Sequence, residues 1–70
     1  MARRMRIKTG KKVLFYLYVG FGIKMIDLDR QGEKFTFNTE RERIIFRDML
    51  EKENPKDMDG VIRLYRMFTA

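Results

Sequence analysis

The sequence predicts an α+β fold: a small antiparallel sheet in the order β-β-β-α-β, with one helix packed on one face and a flexible basic N-terminal arm. Three observations lead there. Residues 13–38 hold three short runs of β-branched and aromatic residues separated by glycine-bearing turns. Residues 40–53 carry apolar side chains at helical spacing behind a capping signature. The first twelve residues hold six basic side chains and no acidic one, while the rest of the chain carries ten of each sign. The net charge of +6 therefore belongs to an arm at 1–12, ahead of a single domain at 13–70.

In the arm, Arg3, Arg4, Arg6, Lys8, Lys11 and Lys12 repel one another and cannot be buried, so a disordered tail is expected. Met5, Ile7 and Thr9 alternate with these cations, which also lets part of the arm pair as an edge strand with Gly10 as a bend. The first strand is Val13 to Val19, rich in aromatic and β-branched residues and stopped by Gly20-Phe21-Gly22. The second runs from Ile23 to Leu28. Asp29-Arg30-Gln31-Gly32 has the Asp and Gly ends of a type I turn, and Lys34 to Asn38 returns as the third strand.

Thr39 and Glu42 form a T-x-x-E capping box, and Ile45, Phe46, Met49 and Leu50 then recur as the stripe of a helix from about Glu40 to Glu53. Ile44 lies off that stripe. Pro55 pushes Asn54 toward extended geometry and ends the helix. After a polar turn, Val61 to Phe68 reads as a fourth strand.

Strand side chains alternate between faces, so they divide into two sets. Phe15, Leu17, Val19, Phe35, Phe37, Ile62 and Leu64 are assigned to the core. The opposite face then collects Tyr16, Tyr18 and Tyr65 with Lys24 and Arg63, joined by Leu14, Ile26, Leu28 and Met67. Aromatic rings beside cations suit unpaired bases, but tyrosine is also an ordinary strand residue that tolerates water. The apolar members favour cover by a second copy or a protein partner.

Composition excludes much chemistry. The chain has no His and no Cys, and Ser is missing too, which removes thiol, Ser/His and zinc mechanisms. Asp27/Asp29 and Asp57/Asp59 are carboxylate pairs beside turns, where Asp commonly bonds the backbone. A calcium loop from Asp57 needs Gly and Glu where Ile62 and Phe68 stand. Gly10-Lys11-Lys12 and Gly20-Phe21-Gly22 lack the remaining positions of phosphate and dinucleotide loops. No metal or cofactor is expected, and no enzyme.

The basic start and the uncharged run Val13 to Ile23 outline a secretory signal, but no small-x-small site follows and Lys24 and Asp27 interrupt any membrane span. A cytoplasmic protein is expected, of a size and composition compatible with a virus- or plasmid-encoded one. The leading expectation is a small non-enzymatic nucleic-acid-binding protein, DNA or RNA, dimeric, with the arm on phosphates. The alternative is a protein-interaction module, an inhibitor or adaptor, working through the tyrosine-bearing sheet face.

Overall fold

The computed structural model describes residues 4–9, 12–27 and 32–70. Arg4–Thr9 form β1, Lys12–Val19 β2, Gly22–Asp27 β3, Glu33–Phe35 β4, Glu40–Glu53 α1 and Met58–Thr69 α2. The four strands make one antiparallel sheet in the order β1-β2-β3-β4, an up-and-down meander. Both helices pack on the same face, so the architecture is two layers. The α+β class and the antiparallel sheet agree with the sequence; the element order does not, because it holds a further strand at the start and a second helix at the end.

The added strand comes from the basic segment. Met5 and Ile7 pair with Tyr16 and Leu14 across β1 and β2, and Ile7 is buried. Burial of these alternate residues brings Arg4–Thr9 onto the sheet edge while Arg4 and Arg6 stay exposed on the other side. A cationic edge strand also resists pairing with further chains. Arg3, Gly10 and Lys11 lie outside the described residues, as do Leu28 and three members of the expected turn, Asp29, Arg30 and Gln31.

The β2–β3 hairpin has a two-residue loop, since Val19 pairs with Gly22. Gly20 takes φ 58 at the first loop position, where a turn matching strand twist needs a positive φ. A Cβ on Gly22 would stand 2.8 Å from the Phe35 carbonyl oxygen, so β4 can approach only a glycine there. The strand expected over Lys34 to Asn38 is shorter and earlier, at Glu33–Phe35.

Helix α1 has the expected bounds. Thr39 accepts from the Glu42 N–H at 3.2 Å, and the Glu42 carboxylate reaches back to the Asn38 N–H at 3.3 Å. Its end differs: Asn54 is left-handed, at φ 48, and its N–H donates to the Leu50 carbonyl at 3.0 Å. Left-handed Asn terminates the helix while still avoiding the α region that Pro55 disfavours. The buried stripe is Arg43, Phe46 and Leu50; Ile45, expected inside, is 43% exposed.

Residues Val61 to Phe68 form a helix, which corrects the fourth strand. Asp57 caps α2, its carboxylate accepting from the Gly60 N–H at 2.9 Å. Met58, Val61, Tyr65 and Phe68 then recur at a spacing of three and four, putting two fully buried and two half-buried side chains on one helix face. That face packs the aromatic cluster, with Tyr65 centred 4.8 Å from Phe35 and 5.7 Å from Phe46, and Phe68 5.7 Å from Phe46. Strand propensity yields here because it mostly reflects packing context, and a helix buries more of these rings.

Candidate nucleic-acid interface

The faces of β2 are the reverse of those expected, and the hairpin register shows why. A two-residue loop pairs Tyr18 with Ile23, Leu17 with Lys24 and Tyr16 with Met25. Lys24 cannot be buried at reasonable cost, so Leu17 and its face-mates Phe15 and Val19 turn away from the helices with it. Phe15 and Leu17 are half-buried and Val19 is exposed, whereas Leu14 and Tyr16 are fully buried beneath the helices.

Burial of the tyrosines is supported by partners on α1. The Tyr16 hydroxyl donates to the Glu51 carboxylate at 3.0 Å and lies 2.8 Å from the Met5 sulfur. Burial first, and then this bond to Glu51, raise the Tyr16 pKa well above its ordinary value. The Tyr18 hydroxyl accepts from Arg47 Nη1 at 3.5 Å, which with the Asp48 contact raises the Arg47 pKa. Arg43 is 7% exposed, ion-paired to Glu40, and stacks 4.0 Å from the centre of the Tyr18 ring. Its Nη1 has no hydrogen-bond partner among the described residues, and the ring face adds to the Glu40 pair in compensating the buried cation.

The five residues expected to form one aromatic, basic sheet face are thus dispersed. Tyr16 and Tyr18 lie between sheet and α1. Tyr65 sits on α2, its hydroxyl donating to the Thr36 carbonyl at 2.9 Å, and Arg63 is exposed on the same helix. Lys24 alone is on the open sheet face. Of the apolar residues grouped with them in the sequence, Leu14 is core, Met67 is exposed on α2, Ile26 has the outward parity, and Leu28 lies outside the described residues.

The open face is organised by register into two rows. Arg4, Leu17, Lys24 and Lys34 are paired successively across all four strands, and Arg6, Phe15 and Ile26 across the first three. With strands ~4.8 Å apart the first row spans about 14 Å. The rows stand about 7 Å apart, two residues along each strand. The Arg6 guanidinium carbon is 5.7 Å from the centre of the Phe15 ring. The only acids in the described strands, Asp27 and Glu33, have the parity of the other face. Arg4, Arg6, Lys24 and Lys34 therefore meet no carboxylate among the outward strand positions described, and their potentials add.

Of the six arm cations, then, Arg4 and Arg6 stand on this face. Lys8 and Lys12 belong to β1 and β2. Lys34, Phe15 and Leu17 were missed by sequence reasoning, although pairing the strands outward from Gly20-Phe21 would have found them; Ile26 stands on the outward face as expected.

Asp57 is occupied as the α2 cap, in keeping with a structural role for the Asp57/Asp59 pair. Among the described residues no group of three or more acidic side chains could hold a metal ion, and no helix is long and apolar enough to cross a membrane. Comparison with protein-family models, curated proteins and solved structures finds no match.

Proposed function

We propose that this chain is a small non-enzymatic nucleic-acid-binding protein whose basic N-terminal segment and open sheet face engage phosphates. The observation that carries this reading is the segregation of charge. Residues 1–39 hold nine basic and three acidic side chains, residues 40–70 seven of each, and the outward strand positions described are free of carboxylates. Four cations on the open face, together with the further charges of Arg3, Lys8, Lys11 and Lys12 among the first twelve residues, supply sequence-independent affinity for a polyanion.

Fluorescence anisotropy of labelled oligonucleotides across a salt series tests it. Engaging four to six duplex phosphates gives a log–log slope of about −4 to −5, and the Arg4→Gln/Arg6→Gln chain has a slope shallower by about 1.8. Absence of binding at low salt overturns the proposal. The protein-interaction alternative then takes its place, with Val19 and Phe21, 41% and 55% exposed at the hairpin end, as the contact surface to test.

A further inference from the structure

Resting on that reading, we infer that the open sheet face selects single-stranded over double-stranded nucleic acid. Phe15 serves as the stacking platform for a base, while Arg4, Lys24 and Lys34 follow the backbone. The geometry suits one unpaired strand. Phe15 lies at the middle of the face, flanked by Arg6 and Ile26, and the cation row runs parallel to it at about 7 Å, which is comparable with the reach from a base to its own phosphate. A four-stranded sheet can present an aromatic ring to an unpaired base in this way.

Magnitudes decide between strand states. Stacking on an aromatic side chain contributes ~1–3 kcal/mol per base, while unpairing a duplex base costs a few. A duplex would therefore meet the cations only, and a free strand would gain the ring as well. Arg6 over Phe15 does not block this, because an exposed cation–π contact is worth only ~0.5–1 kcal/mol and the guanidinium can pass to a phosphate. A second copy of the chain is the competing occupant. Packing two such faces together through a two-fold axis would set four cations against four with no acid among the described outward positions, which like-charge repulsion opposes.

The test uses the full chain with a short oligonucleotide carrying 2-aminopurine, supplied single-stranded or annealed to its complement. Phe15→Leu keeps an apolar side chain and removes the ring; Lys24→Gln/Lys34→Gln removes two backbone contacts; Arg66→Gln, on α2, is the control. The expected result is quenching of 2-aminopurine in the single strand only, with affinity about tenfold lower or more for Phe15→Leu and duplex affinity unchanged. The lysine pair should reduce the single-strand salt slope by about 1.4, and Arg66→Gln should alter neither. Equal affinity for both strand states with Phe15→Leu silent overturns the inference while leaving nucleic-acid binding standing. No binding of either form at low salt overturns both. A dimer in sedimentation that Phe15→Leu dissociates shows that a second copy occupies the face, and also overturns the inference.

Discussion

On its helix-facing side the sheet buries Leu14, Tyr16, Ile23 and Met25 completely, while one residue along the same strands Phe15 and Leu17 are half-buried and Lys24 is exposed. Both faces are aromatic and both meet arginine. Inside, Arg43 lies on Tyr18 and is matched by Glu40, and the Tyr16 hydroxyl is matched by Glu51. Outside, Arg6 lies over Phe15 beside Arg4, Lys24 and Lys34, with no acid at the described outward positions. Paired cations hold layers together, and an unmatched row of them attracts an anion from elsewhere.

The sharpest way to break that contrast is substitution of neighbours. Tyr16→Ala should lose about 3–5 kcal/mol, the cost of emptying a buried aromatic site, whereas Phe15→Leu should change stability by less than ~1.5 kcal/mol. Urea denaturation of the two chains measures this, and equal losses would show that the faces are not distinct. Alkali gives the next effect. The Tyr16 pKa is raised by burial, so the folded state keeps a proton that the unfolded chain releases; stability is unaffected below the ordinary value of ~10 and falls above it by about 1.4 kcal/mol per pH unit. Tyr16→Phe should abolish that slope, read from denaturation midpoints at successive pH values.

Helix caps come next. Thr39→Ala and Asp57→Ala should each cost ~1 kcal/mol and leave oligonucleotide affinity unchanged, because both lie away from the open face. Acid gives the smallest effect. The bond from Arg43 lowers the Glu40 pKa, so the contribution of this exposed carboxylate is present above the ordinary carboxylate range and is lost as pH falls through its lowered value. Comparing acid titrations of the parent and Glu40→Gln chains isolates it.

Much of this fold is legible in the sequence. The T-x-x-E box placed α1 at its observed bounds, and Gly20-Phe21 marked the hairpin. Val61 to Phe68 misleads because its residues are strong strand formers; the recurrence of Met58, Val61, Tyr65 and Phe68 behind Asp57 is the competing helical signal. The candidate interface was half legible. Its cations at Arg4, Arg6 and Lys24 stand out as charge, but β2 is apolar on both parities, and choosing its inward face by preferring Phe over Tyr gives the wrong answer. Register decides instead, since the two-residue loop ties Leu17 to Lys24. No local pattern shows that the Tyr16 and Tyr18 hydroxyls find Glu51 and Arg47 some thirty residues away.

The most direct measurement is side-chain NMR during titration with a short single-stranded oligonucleotide at low salt. The Phe15 ring and the methyl groups of Leu17 and Ile26 should shift together and saturate at one stoichiometry, while the methyl groups of Ile23, Leu50 and Val61 stay in place. Shifts centred on α2, or a spectrum unchanged by the oligonucleotide, would contradict the assignment of the open sheet face as the binding surface.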